Sequence, residues 1–285
     1  MDKTRLDGQV AIVTGGGGGI GRGIALALAE RGADIVIAEI FPERGEEVAA
    51  RIREMGREVL FHQADMMDSD AVRAMVAAAD ARFGRVDILV NNVGGVTGRP
   101  FLEQSERSWR RHIDINLISM LAATHAAAPI MIRGGRGGAI LNVASIEASR
   151  AAPTFAVYAA CKAAMVSFTQ TMALELSQHN IRINAIAPDH TISPGIRGNP
   201  PGPVDESTWT KFSPETIDAM NRAIPLLREG IVEECGDAAV YLCSRMSDYV
   251  TGVLLPVDGG TRAAAGWVRD TDGDWTLNQG IKTTR

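Results

Sequence analysis

Short runs rich in β-branched residues alternate with longer alanine-rich stretches of helical periodicity along most of this chain. That alternation is typical of β-α-β units, in which helices join parallel strands. Strands are predicted at Val10–Val13, Ile35–Ala38, Glu58–His62, Ile88–Val90, Ala139–Val143, Ile181–Ala187 and Val253–Val257. Helices are predicted around 20–31, 43–55, 69–83, 106–132, 154–179 and 232–245. Because connections between parallel strands are almost always right-handed, helices must cover both faces, and the sequence predicts a doubly wound α/β fold of three layers.

The length of 285 residues, 46% of them apolar, fits one α/β domain spanning 1–285. Two segments interrupt the alternation. The Pro- and Gly-rich segment from Asp189 follows a strand end, and we predict that about 189–225 forms a substrate lid, with a surface insertion as the alternative. The tail 263–285 is predicted to extend beyond the last strand. Its aspartates imitate a calcium loop but lack the glycine and the closing glutamate, so no metal site is predicted.

Charge and composition exclude several classes of partner. The chain has 29 basic and 34 acidic residues and a net charge of -5, so neither nucleic acid nor an anionic membrane is an expected partner. The stretch 119–132 is too short for a membrane span, and the N-terminus lacks the apolar core of a secretion signal. Three cysteines are too few for a disulfide framework and fit a reducing compartment. A cytoplasmic location is expected.

A glycine cluster lies between the first predicted strand and the first predicted helix. Glycines there allow a tight turn and let backbone N–H groups approach a pyrophosphate at the positive end of the helix. The strand before and the helix after it favour a dinucleotide site over the alternative of a flexible turn. The candidate cofactor contacts in this loop are Gly15, Gly17, Gly18, Gly19, Ile20 and Gly21.

The second strand ends at Glu39, 18 residues beyond Gly21, where a carboxylate accepts hydrogen bonds from the adenosine ribose. A 2′-phosphate would be repelled there, so NAD is predicted rather than NADP. Arg44 is the nearby cation that would weaken this argument, and we expect it on the exposed face of the following helix. The alternative for Glu39 is an ordinary polar residue at a strand end. Asp65, after the third strand, is placed to accept a hydrogen bond from the adenine amino group.

Tyr158 and Lys162 lie four residues apart in a predicted helix, so both project from one face. A free tyrosine has a pKa of about 10, and lowering it to about 7 requires roughly 4 kcal/mol. Lys162 together with an oxidised nicotinamide is expected to supply this lowering, which would make Tyr158 a general acid/base near neutral pH. Ser145 follows the fifth strand and is placed to position the substrate oxygen. Asn116 lies mid-helix, where asparagine is unfavourable, which indicates a purpose.

Each of these four residues also has a structural alternative: a core aromatic, a solvated charge, a helix cap and a surface amide. Their order and spacing together resemble the short-chain dehydrogenase/reductase family over about residues 5–262. The resemblance covers three motifs. They are the glycine motif at Thr14, Gly15, Gly19 and Gly21, the motif Asn91-Asn92-Val93-Gly94, and the catalytic tetrad Asn116, Ser145, Tyr158 and Lys162.

The resemblance implies a Rossmann-type sheet in the order 3-2-1-4-5-6-7, a proton relay through Asn116, a bound water and Lys162, and a homotetramer. It also implies that Tyr158 and Lys162 contact the cofactor, together with Asp65, Met66, Asn92, Gly94, Pro188 and Thr191. Here Pro188-Asp189 stands where the family usually has Pro-Gly, and an aspartate lacks glycine's conformational freedom. The loop over the nicotinamide is therefore expected to differ.

We predict an NAD-dependent enzyme that interconverts a small-molecule secondary alcohol and its ketone. A 3-oxoacyl thioester reductase, an isomerase or dehydratase on the same fold, and a non-catalytic NAD sensor remain alternatives. Large apolar residues in the lid favour an apolar or cyclic substrate, such as a steroid or terpenoid, although they could instead pack the lid against the domain. These residues are Ile192, Ile196, Trp209, Phe212, Met220 and Ile224.

Overall fold

Parallel strands form the central sheet of the computed structural model, which describes residues 2–198 and 202–277. In spatial order the sheet reads β3-β2-β1-β4-β5-β6-β7, as expected from the resemblance. The strands are β1 Val10–Thr14, β2 Asp34–Glu39, β3 Val59–Gln63, β4 Ile88–Asn91, β5 Gly138–Val143, β6 Ile181–Pro188 and β7 Leu254–Val257. The strand order reverses beside β1, between β2 and β4. In open α/β sheets such a reversal opens a crevice at the carboxyl ends of the strands.

Helices cover both faces of the sheet. They are α1 Gly19–Glu30, α2 Pro42–Glu54, α3 Ser69–Phe83, α4 Glu106–Ile113, α5 Ser119–Gly134, α6 Ala156–Glu175, α7 Pro194–Arg197, α8 Pro214–Ala223, α9 Val232–Cys243 and α10 Thr261–Ala264. Apolar residues of α1, α2 and α9 form one core with the sheet, and those of α3, α5 and α6 form another core. The predicted three-layer architecture is confirmed.

Successive residues of β1 show how each strand serves both cores. Ala11 and Val13 are buried among α1, α2 and α9, whereas Val10 and Ile12 face the other core. Because side chains alternate across a strand and both faces are covered, the strand is apolar throughout. Burial of each Val or Ile side chain contributes about 1.5–3 kcal/mol, so the sheet provides a firm base for the loops at its edge.

The long helix predicted over 106–132 is interrupted. A π-helical turn, Asp114–Ile118, separates α4 from α5. The combined helical segment Glu106–Gly134 has 29 residues and is long and apolar enough to cross a membrane by length and composition alone. Core helices of globular domains pass the same test. Here α5 packs against α3 and the strands β4 and β5.

The lid is held to the domain by a buried ion pair. Arg197 Nη2 in α7 donates to Glu229 Oε2 at 2.6 Å, and the guanidinium lies 4.7 Å from the centroid of the Phe212 ring. Both charged side chains are about nine-tenths buried, so their mutual pairing offsets the cost of desolvation. The part of the predicted lid at 199–201 lies outside the described residues.

The C-terminal extension forms a small hairpin, β8 Val268–Arg269 and β9 Trp275–Thr276. It contacts the lid helix α8, where Arg222 Nη1 donates to the carbonyl of Arg269 at 3.2 Å. The carboxylate of Asp270 accepts from the backbone N–H groups of Asp272 and Asp274, both at 2.9 Å. These aspartates therefore close a turn. Among the residues that the structure describes, no three His, Cys, Asp or Glu side chains lie close enough together to hold a metal ion. Residues 278–285 of the predicted extension lie outside the described residues.

Candidate active site

The loop between β1 and α1 forms a cradle that only glycine can line. Gly15 takes a positive φ of 65° and donates its N–H to the carbonyl of Ala38 at 2.7 Å. A methyl group placed on Gly21 would lie 2.1 Å from the carbonyl oxygen of Gly15, so any side chain there would break the turn. α1 begins at Gly19 without a side-chain cap, which leaves the N–H groups of its first turn available to an anion.

The asparagine pair after β4 braces this loop. Asn92 Nδ2 donates to the carbonyl of Thr14 at 2.8 Å, and its backbone N–H donates to the Thr14 hydroxyl at 2.9 Å. Asn91 is buried and donates to Thr124 and to Asn142 Oδ1, at 3.1 and 2.8 Å. Asn91 therefore braces the carboxyl ends of β4 and β5. Asn92 holds the carboxyl ends of β1 and β4 in register beneath the cradle.

Glu39 lies against the cradle, where the sequence placed the adenosine ribose. Its Oε1 accepts from the backbone N–H groups of Ile40 and Phe41, at 2.9 and 3.2 Å. A methyl group on Gly17 would lie 2.6 Å from Glu39 Cγ and 2.9 Å from Oε2. The buried carboxylate therefore forms one wall of the space above the glycine loop, within reach of a ribose hydroxyl.

The expectation that Arg44 lies on the exposed face of α2 is wrong. Its side chain is buried, its guanidinium lies 4.6 Å from the centroid of the Phe41 ring, and its Nε donates to the carbonyl of Gly202 at 2.6 Å. A methyl group on Gly18 would lie 3.6 Å from Arg44 Nη1. A cation therefore stands beside Glu39 at the glycine loop, and the lid reaches this end of the crevice.

The other predicted cofactor contacts differ in how they are placed. Asp65 is exposed and its Oδ1 accepts from the N–H of Met67 at 2.9 Å, whereas the side chain of Met66 is buried in the core. Pro188 ends β6 at the carboxyl edge of the sheet. Thr191 is buried and its hydroxyl donates to the carbonyl of Asp189 at 3.2 Å. Their contacts with a cofactor remain predictions.

Asn116 and Lys162 meet beside Gly94. A methyl group on Gly94 would lie 2.8 Å from Asn116 Oδ1 and 3.2 Å from Lys162 Nζ. Both polar side chains are buried, and Lys162 Nζ donates to the carbonyl of Val143 at 2.8 Å. Gly94 is therefore the residue that allows the loop after β4 to pass close to them. Three predicted site residues, distant in sequence, share one point at the carboxyl edge.

The π-helical turn explains how a mid-helix asparagine reaches this point. Asn116 Nδ2 donates to the carbonyls of Gly95 and His112, at 2.8 and 2.9 Å, and its Oδ1 accepts from the N–H of Gly95 at 3.0 Å. A π turn widens the helix and leaves backbone groups for side chains to satisfy, and such turns are frequent at functional sites. The amide is thus fully used in holding the loop after β4.

Tyr158 and Ser145 complete the group. The Ser145 hydroxyl lies close enough to that of Tyr158 to affect the pKa of the phenol, and the Tyr158 ring centroid lies 5.7 Å from Lys162 Nζ. Burial raises the pKa of Tyr158 above its ordinary value, the hydrogen bond with Ser145 opposes that rise, and the charge of Glu147 adds to it. The side chains of the protein alone therefore do not lower the pKa of Tyr158. We expected Lys162 and an oxidised nicotinamide to lower it together.

Lys162 has a pKa of about 8, lowered from its ordinary value by complete burial. Its ammonium is thus charged at neutral pH and loses its proton above about pH 8. This depression follows from desolvation, which disfavours the charged form of an amine. A lysine with a pKa in this range exchanges protons readily near neutrality, and it lies one helical turn from the phenol.

A cavity of about 460 Å³ lies beside the ends of β6 and β7, beneath the lid. Ile224 forms part of its wall, with Pro225 and Leu226. Ser145 and Tyr158 do not line this cavity. A role of Ile224 in substrate binding remains a prediction.

Comparison with known proteins identifies the family. A family model described as enoyl-(acyl carrier protein) reductase matches residues 15–262. The 7alpha-hydroxysteroid dehydrogenase of Escherichia coli (strain K12) is 32% identical over 259 residues, which are 91% of this chain and 96% of that protein. The chain belongs to the short-chain dehydrogenase/reductase family.

Two solved structures of this family share the fold closely. The gluconate 5-dehydrogenase from Burkholderia cenocepacia, in complex with NADP and tartrate, is 35% identical with a TM-score of 0.82, over 92% of this chain and 98% of that one. The carveol dehydrogenase from Mycobacterium avium, in complex with NAD, is 30% identical with a TM-score of 0.81, over 90% and 98%. The chain is accordingly an oxidoreductase of the NAD(P)-dependent kind that interconverts alcohols and ketones.

The residues present fit a nicotinamide dinucleotide. The cradle at Gly15 and Gly21 has no room for a side chain, and the uncapped start of α1 offers N–H groups where a pyrophosphate would lie. Glu39 would hold the adenosine end. When bound, the cofactor supplies or accepts the hydride that the protein's own side chains cannot provide.

Glu147 gives a test of the electrostatics around the phenol. Because its negative charge raises the pKa of Tyr158, replacing Glu147 with glutamine is expected to lower that pKa. The rising limb of the pH–rate profile for alcohol oxidation should then move to lower pH, since the phenolate would form at lower pH. The measurement is kcat/KM against pH. The control is Glu175→Gln, an exposed residue at the end of α6, the helix that carries Tyr158. An unmoved limb, or one moved to higher pH, contradicts this assignment.

Proposed function

We propose that this protein oxidises a secondary alcohol to a ketone, or carries out the reverse reaction, with NAD as its cofactor. The observation that carries the proposal is the convergence of four side chains. Ser145 lies close enough to Tyr158 to lower the pKa of the phenol, Lys162 lies one turn along the same helix, and Asn116 and Lys162 both border Gly94. A pairing of phenol and hydroxyl suits one substrate oxygen that must lose or gain a proton.

Each member has a distinct part in this mechanism. The Ser145 hydroxyl donates to the substrate oxygen and holds it against Tyr158. As the phenolate, Tyr158 takes the carbinol proton during oxidation, and as the neutral phenol it returns the proton during reduction. Lys162 stabilises the phenolate through its charge, and its proton is labile because burial lowers its pKa to about 8. Asn116 fixes the loop at Gly95, which keeps the wall of the site in place.

The choice of NAD rests on Glu39. Its carboxylate lies against Gly17, where a ribose 2′-phosphate would meet a like charge at close range. Arg44 stands nearby and would attract such a phosphate, so the two side chains oppose each other. We assign the stronger effect to Glu39 because Arg44 already donates to the lid carbonyl of Gly202.

The substrate that we propose is an apolar or cyclic alcohol. Trp209, Phe212 and Met220 of the lid are partly buried rather than fully packed, which leaves apolar surface on the lid. Two relatives named above act on carveol and on a 7-hydroxysteroid, both of which are ring alcohols. Short polar alcohols should therefore be oxidised more slowly than ring alcohols of similar reactivity.

Reduction of an acyl-carrier thioester is the second candidate, favoured by the description of the matching family model. Such a substrate would normally favour NADPH and a basic docking patch, and the net charge of -5 does not favour one.

An isomerase or dehydratase on the same fold would bind NAD without a net change in NADH absorbance, and a sensor would need no tetrad. Following absorbance with aliphatic, ring and steroid alcohols separates these cases. No absorbance change with any of them would contradict the proposal.

We further propose that the enzyme is a cytoplasmic homotetramer. The helices α5 and α6 retain exposed apolar side chains, including Ile132 and Leu174, that the monomer does not cover. Cys161, Cys235 and Cys243 are buried free thiols, which suits a reducing compartment. Sedimentation velocity at micromolar concentration should give a species of four chains. A monomer under these conditions would contradict the proposed assembly.

A further inference from the structure

A group of charged side chains lies at the rim of the candidate active site and takes no part in the mechanism above. Arg150 Nη2 donates to Glu147 Oε1 at 2.8 Å and lies 3.5 Å from Asp189 Oδ1. The carboxylates of Glu147, Asp189 and Asp258 all raise the pKa of Arg150 through their charges. One guanidinium therefore stands among three carboxylates, and the group carries net negative charge.

This rim is built at the same sheet edge as the reacting hydroxyls. β5 and β6 are neighbours in register, with Val143 opposite Ile186. Glu147 follows Ser145 by two residues after β5, and Asp189 follows directly after β6. The charge of Glu147 raises the pKa of Tyr158, so the carboxylate lies within the electrostatic reach of the phenol.

Two oxygens of this rim lack hydrogen-bond partners among the described residues. Glu147 Oε2 and Asp189 Oδ2 are both buried from solvent and accept no hydrogen bond. The side chain of Asp189 is only 9% exposed. Each carboxylate contacts Arg150 through one oxygen, and its other oxygen has no donor. An unsatisfied buried acceptor is unfavourable, and a donor from water or from a bound molecule would satisfy it.

We infer that the rim formed by Glu147, Arg150 and Asp189 recognises a second hydroxyl on the substrate, next to the carbinol that reacts. A neighbouring hydroxyl would donate to Asp189 Oδ2, while the first hydroxyl lies between Ser145 and Tyr158. The substrate class is then a neutral ring compound with adjacent hydroxyls, or the corresponding hydroxyketone. This inference rests on the proposed function and deepens it.

The sign of the charge decides between neutral and anionic substrates. Because the carboxylates outnumber the guanidinium, a substrate carboxylate in the same position would be repelled, and Arg150 is already bonded to Glu147. The aspartate at 189 is thus a departure from the family pattern with a consequence for specificity. In this position a glycine would offer no side-chain acceptor.

The test compares matched ring alcohols with the holoenzyme. With NAD, kcat/KM is measured for cyclohexanol, trans-1,2-cyclohexanediol and trans-2-hydroxycyclohexanecarboxylate. The diol should exceed cyclohexanol by at least about tenfold, since a hydrogen bond to a charged acceptor is worth that much or more. Asp189→Ala should bring the ratio of diol to cyclohexanol close to one, and Asp189→Asn, which keeps one acceptor, should give an intermediate ratio.

Asp248→Asn serves as the control, because this exposed aspartate lies in the connection between α9 and β7. It should leave the ratio unchanged. A ratio near one in the wild type, a ratio unmoved by Asp189→Ala, or faster oxidation of the carboxylate than of the diol would overturn the inference. If no ring alcohol reduces NAD, the proposed function fails instead. Calorimetric titration of the diol and of cyclohexanol into the protein with NADH then tests the rim alone, and equal affinities overturn it.

Discussion

Replacing Tyr158 with phenylalanine is expected to lower kcat for alcohol oxidation by about a thousandfold, the scale of a positioned general acid/base. The phenylalanine ring keeps the shape of the side chain in α6 but removes the hydroxyl that lies beside Ser145. The substrate would then have no group to accept its proton within the site. Initial rates of NADH formation at saturating substrate measure the effect.

Two further measurements separate a chemical role for Tyr158 from a structural one. NADH binding, followed by fluorescence, should change by no more than a few-fold in Tyr158→Phe, because the glycine cradle and Glu39 remain intact. Tyr249→Phe removes a phenol that is fully exposed and should leave the rate unchanged. If Tyr158→Phe bound NADH and oxidised the alcohol at the normal rate, the enzymatic proposal would be wrong.

The strands and the glycine cradle could be predicted because local chemistry dictates them. A continuous apolar run such as Val10–Val13 indicates a strand whose sheet is covered by helices on both faces. The glycines that follow it indicate a tight turn. The place of Glu39 follows as well, since it ends the neighbouring strand β2. These residues act through backbone geometry within one β-α-β unit, which a single sequence can reveal.

Contacts between distant segments could not be predicted in the same way. Arg44 was expected on an exposed face because α2 is amphipathic, yet the carbonyl of Gly202 in the lid lies over the start of this helix and accepts from its guanidinium. Nothing in the local pattern of α2 marks a contact with a residue 158 positions away. Similarly, the π turn at Asn116 depends on the loop at Gly95 that it satisfies.

The rim at Asp189 could be predicted only in part from the sequence. The sequence marks Asp189 as unusual, because it stands where a glycine is common after the sixth strand. Its partners Arg150 and Glu147 belong to the loop after β5, about forty residues earlier, and only the pairing of β5 with β6 brings them together. A departure from a family pattern therefore located the residue, but only the fold shows which charges surround it.

Replacing Glu39 with alanine is expected to raise kcat/KM for NADP, relative to NAD, by about a hundredfold. Two unit charges 4 Å apart near a protein surface interact by about 4 kcal/mol, so removing the carboxylate beside a 2′-phosphate gives roughly this change even after partial screening. The same substitution should weaken NAD binding, because the ribose hydroxyls lose their acceptor. Steady-state kinetics with both cofactors give the ratio. Glu54→Ala, exposed at the far end of α2, is the matched control and should leave it unchanged.

Arg44 makes this experiment sharper, since it offers a cation to the phosphate once Glu39 is gone. Its side chain is buried beside Gly17 and Gly18, so the double variant Glu39→Ala with Arg44→Leu should lose most of the gained activity with NADP. A relative of this chain is known in complex with NADP, and its fold matches at a TM-score of 0.82, so the fold itself does not exclude that cofactor. The preference for NAD that we propose therefore rests on the side chains at this end of the crevice. A wild-type enzyme that used NADP as well as NAD, or a ratio that Glu39→Ala did not move, would show that Glu39 does not set it.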